Sequence, residues 1–327
     1  MEQPNDLRAK ALENKKYLVD PYQDWIDAEG VPLATGRAIN LFEIKLAPWD
    51  RFGMDGAACH VTGRCDFLSV FVFQLQAGQS SAPVRKVYEE CIYVLEGSGR
   101  TIVTLSDGSK KEIEWTKGMA FAAPVNAACV HIASTNSNAR LVSFNDLRYL
   151  IALYRNEDFL FRNSAPMHKR QNEALAAGLL ASAADMPLAQ DGKTSLALAA
   201  GSIGCDITEL APGSADLATR QMQGAHLLCL SGRGFSLSFD SDSSPLERTD
   251  WAPGVLIGLP SMAFHQHFNA SDKQARVMKL ELGSLASPIF RSRRFIYGDE
   301  TVYASGAATI ARDCERADIA DLRTKRT

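Results

Sequence analysis

The feature that most constrains this chain is an internal repeat. Gly78 is followed by Gly97, Gly118 and Pro124, and Gly213 by Gly232, Gly254 and Pro260. The two series are offset by 135, 135, 136 and 136 residues, so one residue inserted in a loop accounts for the change. LEGSGRTIVTLSDGS (95–109) and LSGRGFSLSFDSDSS (230–244) match in character as well. A repeat of this length decides the architecture before any single residue is interpreted.

The repeated blocks have a β pattern. LSVFVFQLQAG (68–78), ECIYVLEGSGRTIVTL (90–105), KEIEWTKG (111–118) and ARLVSFNDL (139–147) are rich in apolar, aromatic and β-branched residues, separated by Gly, Asp and Asn. SDGS (106–109) reads as a hairpin turn. The β pattern stops near residue 164, gives way to QNEALAAGLLASAADMPL, and returns from about 198 to 285. The expected division is an N-terminal helical arm (1–39), a β domain (40–163), an Ala-rich, partly helical linker (164–197), a second β domain (198–290) and a C-terminal extension (291–327). The arm is expected to be helical over 5–28, with Asp6 as its cap and Pro21 and Gly30 breaking it. RADIADLRTKRT reads as a short polar helix or a tail.

The spacing of motif residues resembles that of the cupin superfamily. Gly78 is followed at the family's positions by Val84, Lys86, Glu90 and Gly97, and Gly118 by Pro124 and Cys129. The second block gives Gly213, Thr219, Gln221, Ala225 and Gly232, then Gly254, Pro260, His265 and Asn269. The resemblance covers roughly 65–150 and 200–285 and implies an all-β bicupin of two jelly-roll β-barrels. It also implies a homodimer, and barrel mouths are common sites for small ligands.

In that family two His, a Glu and a third His converge on a metal. Here the first block offers Val84, Lys86, Glu90 and Cys129. A valine cannot ligate and a lysine carries its own charge, so the first barrel is expected to be metal-free. Lys86 can stand where the cation would be and answer the charge of Glu90. Two readings stay open: a structural ion pair, or a lysine tuned by burial for anion binding or acid–base work. His131, two residues beyond Cys129, shares its strand face and joins the pocket candidates, as do Thr219 and Gln221 in the second block.

Candidate metal ligands are His265 and His267 of HQHFN (265–269), with His226 of GAHLLCLSG (224–232). A divalent transition metal (Fe, Mn or Zn) in the second barrel would use them. His226 is one residue out of register, so a bulge would be needed to bring it inward.

The remaining signals mainly exclude. A net charge of −3 gives no drive toward nucleic acid or anionic membrane. No stretch of eighteen apolar residues suggests a membrane helix. MEQPNDLRAKALENKK lacks an apolar leader core, and seven scattered cysteines without a CxxC pair read as reduced thiols, so a cytoplasmic location is expected. EDFLFRN (157–163) and SPIFRSRRFIYGDE (287–300) each place aromatics beside Arg, as a wrap over the neighbouring barrel or a dimer surface would. No GxSxG, Walker or dinucleotide motif occurs. Three functions stay open: a bicupin binding a small organic molecule, a metal-dependent oxygenase-like enzyme using His265 and His267, and an inactive structural or regulatory bicupin.

Overall fold

A computed structural model of the chain describes residues 20–62, 68–190, 192–220, 224–239, 246–261 and 263–282. Each repeat folds as a large sheet facing a four-stranded one. In the first, the four-stranded sheet runs in the order Val84–Arg85, Ala128–Ala133, Ser98–Thr104, Lys110–Thr116. In the second, the corresponding order is Thr219–Arg220, Phe264–Asn269, Gly234–Phe239, Glu247–Trp251. The same order at the same sequence offset makes the two units copies of one topology. The glycines that mark the repeat have a backbone reason to be there. Gly97 and Gly232, at φ 80° and 79°, occupy the left-handed region where a Cβ is penalised. A side chain at either would also strike the backbone of residue 138–139 or 274–275.

The two large sheets lie back to back. Strands Glu90–Glu96 and Ala225–Ser231 are buried on both faces over most of their length. Their outward residues, with Val72, Val142, Phe144, Ile207, Met278 and Leu280, form one apolar layer between the barrels. Such two-sided burial explains why these strands read as continuous apolar runs rather than alternating ones.

The segments outside the repeats are also part of the sheets. Ala38–Asn40 pairs with Val255–Leu259 of the second barrel, although it precedes the first in sequence. Leu180–Ser182 extends the first barrel's large sheet beside Met119–Phe121, and Lys193–Ser195 edges the second beside Ile203–Leu210. Helix His168–Ala177 lies in the connection.

The arm departs from expectation at Pro21. The described helix is Pro21–Glu29, and Pro21 starts it. Asp20 caps it, accepting from the Tyr22 and Gln23 amides, and Gly30 closes it in the left-handed region. Proline is well suited to the first helical turn, whose N–H groups lack intrahelical partners. Asp6 and the start of the predicted helix lie outside the described residues, as do SPIFRSRRFIYGDE and RADIADLRTKRT.

The first barrel's core is aromatic. Trp49, Phe52, Phe71 and Phe73 pack edge-to-face and tilted, Trp115 stacks on Phe121, and Trp25 of the arm helix stacks on Phe161. EDFLFRN thus supplies Leu160 and Phe161 to its own barrel's core.

Candidate ligand site in the second barrel

The two barrels treat equivalent positions differently. In the first, the Lys86 ammonium contacts Glu90 directly, and both side chains are buried. Glu90 Oε2 also accepts from Ser143 Oγ at 2.8 Å, and Asn145 Nδ2 donates to Ser143 Oγ at 3.1 Å. Burial pushes Lys86 down to about 8, with Cys129 acting weakly in the other direction. At pH 7 it remains mainly protonated. Cys129 is buried and its thiol is raised by desolvation, which suppresses thiolate chemistry. Val84 lies directly opposite Cys129 on the neighbouring strand.

Both barrels contain a buried relay that the sequence reading missed. Trp115 Nε1 donates to Thr101 Oγ1 at 2.9 Å, and Thr101 Oγ1 bonds His131 Nδ1 at 2.8 Å. In the second barrel Trp251 Nε1 donates to Ser236 Oγ at 3.1 Å, and Ser236 Oγ bonds His267 Nδ1 at 2.7 Å. Each hydroxyl accepts from an indole, and donating its own proton to Nδ1 would use its single O–H. That assignment leaves the imidazole proton on Nε2 of His131 and His267. The repeat offset, applied to Trp115 and Trp251 and to His131 and His267, was the available signal.

A cavity of about 300 Å³ opens in the second barrel. His265 and His267 line it from one sheet, Asp206, Thr208 and Leu210 from a facing strand, and Val277 and Lys279 from the next. The spacing of two in each set is the strand alternation that puts side chains on one face. Lys193, Asp216, Thr219 and Leu227 complete much of the wall. Lys86, Glu90, Cys129 and His131 do not line it. Gln221 lies outside the described residues.

His265 and His267 have ring centroids 5.4 Å apart. His265 Nε2 bonds Thr219 Oγ1 at 3.2 Å, while its Nδ1 is buried without a well-formed hydrogen bond, the Ala263 main chain contributing only weakly. Desolvation lowers both histidines to about 3, so both are neutral at pH 7. His226 does not join them. It is buried on the outer face of its strand, against Phe144 of the first barrel, as its register implies without a bulge.

Thr219 and Ala225 stand where the family has a His and a Glu. Nδ1 of His267 is committed to Ser236, and His226 faces elsewhere. Among the described residues no group of three His, Cys, Asp or Glu side chains converges as a metal centre. The described donor set does not fit a divalent transition metal, which takes at least three such ligands.

Asp216 was not anticipated from the sequence. Its Oδ1 accepts from the His267 amide at 2.7 Å, and its own amide donates to the His267 carbonyl at 3.1 Å. Its counterpart is Ser81, whose Oγ accepts from the His131 amide at 2.9 Å and whose amide donates to the His131 carbonyl at 2.8 Å. Desolvation raises Asp216 to about 7 against the opposing pull of the His267 amide and Lys193.

No family profile matches the sequence, and no curated protein matches it. Solved structures do. A single-residue variant of Bacillus subtilis oxalate decarboxylase superposes with a TM-score of 0.55 at 11% identity, covering 76% of this chain and 78% of that one. Oxalate decarboxylase in a structure addressing its substrate binding mode gives 0.55 at 12%, covering 76% and 77%. The Bacillus subtilis enzyme described for its Mn(II) centres gives 0.54 at 12%, covering 76% and 78%. The fold is a bicupin fold. At this identity the likeness shows the fold alone, and bicupins share architecture across different sites. No described helix is long and apolar enough to cross a membrane.

The buried groups of this chain predict its acid response. His131, His265 and His267 are lowered to about 3 and His226 to about 4, all mainly by desolvation. Between about 6.5 and those values the unfolded chain binds protons that the folded chain refuses, so stability falls as pH falls. Asp146 and Asp216, raised to about 7, act oppositely between 7 and about 3.8, where the folded chain keeps protons. Four groups against two give a net loss. The urea midpoint should be lower at pH 4.5 than at pH 7, and the difference should shrink in His131→Asn. Equal midpoints at the two pH values would refute the assignment.

Proposed function

We propose that this bicupin binds a small organic acid in its second barrel, while the first serves as a closed structural unit. The observation that carries the reading is the 300 Å³ cavity in which His265, His267 and Thr219 line the wall together with Lys193 and Lys279. Cavities of about this volume and upward, with a few convergent polar groups, are where small ligands bind. Lys193 and Lys279 supply positive charge, and Thr219 and the Nε2–H of His267 supply neutral donors. Lys279 already lies 3.8 Å from Asp206 Oδ2 and 3.3 Å from Glu281 Oε2, so an incoming carboxylate competes with these for its ammonium. Leu210, Leu227 and Val277 offer an apolar wall to a short alkyl group.

Thermal shift against acetate, propionate and pyruvate, each compared with its uncharged amide, tests this. The acids should raise the melting temperature and the amides should not. Equal stabilisation by amides, or none by any acid, would contradict the reading. Tight Mn²⁺ binding that disappears in His265→Ala would instead favour the metal-dependent alternative.

A further inference from the structure

We infer that residues 292–297 of this chain, SRRFIY, seat on the mouth of its own second barrel over Leu217 and Thr219, and bring two arginines to the rim of the cavity. The role of the arginines rests on the ligand class proposed above, and the seat does not.

The first barrel shows the arrangement. Its last strand, Ala139–Asn145, is followed by helix Leu147–Tyr154 and then by the short helix Glu157–Phe161. Asn156 caps the short helix, accepting from the Phe159 amide at 3.0 Å. The helix seats beside strand Val84–Arg85. The Val87 amide donates to the Leu160 carbonyl at 2.9 Å, and Leu160 and Phe161 are buried in one core cluster with Val84. Ala82 packs against the same cluster.

The repeat extends to the segment that follows the second barrel. Trp115 and Trp251, His131 and His267, and Ala139 and Ala275 are each 136 residues apart. The same offset carries Asn156 to Ser292, and Phe159, Leu160 and Phe161 to Phe295, Ile296 and Tyr297. Asn and Ser are both preferred helix caps, and each precedes an aromatic–aliphatic–aromatic triplet at the same distance. SRRFIY lies outside the described residues. Residues 283–291 lead to it from Leu282, as residues 146–155 lead from Asn145 to Asn156, so the chain has nearly the reach it uses in the first barrel. Pro288 falls at the place of Ala152, inside helix Leu147–Tyr154, so the connection need not repeat that helix.

The second barrel presents the matching surface. Leu217 and Thr219 are the counterparts of Ala82 and Val84, at the offset of 135 that relates Gly78 to Gly213. Val84 is buried, whereas Thr219 is exposed and Leu217 is 61% exposed. Leu217 stands between Asp216 and Thr219, which both line the cavity. Covering it with Ile296 and Tyr297 removes apolar surface from water, as Leu160 and Phe161 do beside Ala82. The charges differ between the copies. Glu157 and Asp158 in the first become Arg293 and Arg294 in the second. That reversal adds cations to a cavity already lined by Lys193 and Lys279, which favours an anionic occupant.

Hydrogen exchange read by mass spectrometry on the full chain tests the seat without a ligand. In the variant Phe295→Ser, Ile296→Ser, Tyr297→Ser, peptides spanning 214–220 should exchange at least about tenfold faster than in the wild type, as expected from uncovering one leucine. Peptides spanning 79–85 should not change. Ile296→Ser alone should move exchange in the same direction, which covers the case in which the triple variant unfolds. Equal exchange at 214–220 in the wild type and both variants overturns the inference. Protection there that disappears on dilution of the wild type also overturns it, since a second copy would then hold the mouth. Calorimetry with pyruvate reads the arginines. The double variant Arg293→Ser, Arg294→Ser should bind at least about tenfold more weakly, with ligand-free exchange at 214–220 as in the wild type. Unchanged affinity overturns their role. Failure of the wild type to bind any acid overturns the ligand reading and the role of the arginines together, and leaves the seat to the exchange result.

Discussion

Replacing Lys86 with methionine should destabilise the protein by about 3–5 kcal/mol at pH 7, the cost of stranding one member of a buried ion pair. Glu90 keeps its Ser143 hydrogen bond in the variant, which favours the ionised carboxyl but does not neutralise it. A loss of this size should lower the melting temperature by about 4–7 °C. The sign of the pH dependence follows from the carboxyl left behind. Without Lys86, desolvation raises Glu90 above its unfolded value, so the folded variant takes up a proton that the unfolded chain does not. The deficit relative to wild type should therefore shrink as pH falls from 7 toward 5. An unchanged melting profile would mean that Lys86 and Glu90 are solvated. The double variant Lys86→Met, Glu90→Leu should recover much of the loss, since apolar replacement of a whole buried pair is often neutral.

The second large effect is expected at a glycine. A Cβ on Gly234 would sit 1.9 Å from the Phe268 carbonyl oxygen and 2.5 Å from the Trp251 ring. Neither neighbour can retreat. The carbonyl belongs to the adjacent strand and the indole is pinned to Ser236. Gly234→Ala should cost about 3 kcal/mol or more, at the upper end of overpacking penalties. It should also weaken ligand binding, because moving Trp251 disturbs Ser236 and through it His267. Gly99 is the matching position, its Cβ meeting Ile132 O at 2.2 Å and Trp115 at 2.5 Å. Gly99→Ala should destabilise comparably yet leave binding nearly unchanged. Urea unfolding and calorimetry on the two variants check both halves, and equal loss of binding would contradict the division of roles between barrels.

These residues also show what was legible in the sequence and what was not. The bicupin fold was legible because glycines such as Gly97 and Gly232 satisfy a local backbone demand that recurs in each repeat. The alternation of His265 and His267 likewise needs only strand geometry to place both on the cavity wall. Asp216 was hidden for the opposite reason. Its role depends on pairing with His267, 51 residues away, and on burial set by strands from several parts of the chain. His226 could be placed by register alone, but not its neighbour Phe144, which requires knowing that the two large sheets pack back to back. Pro21 was misread because proline both breaks and starts helices, and only the capping by Asp20 decides between them.

One barrel should bind a small acid and the other should not. Isothermal titration of pyruvate into the full chain tests it most directly, with Lys279→Gln as the second-barrel variant and Ser143→Ala as the first-barrel control. The expected result is one pyruvate per chain, affinity at least about tenfold weaker in Lys279→Gln, a difference of about 1.4 kcal/mol, and no change in Ser143→Ala. Two molecules per chain, or a loss of affinity in Ser143→Ala but not in Lys279→Gln, would contradict it.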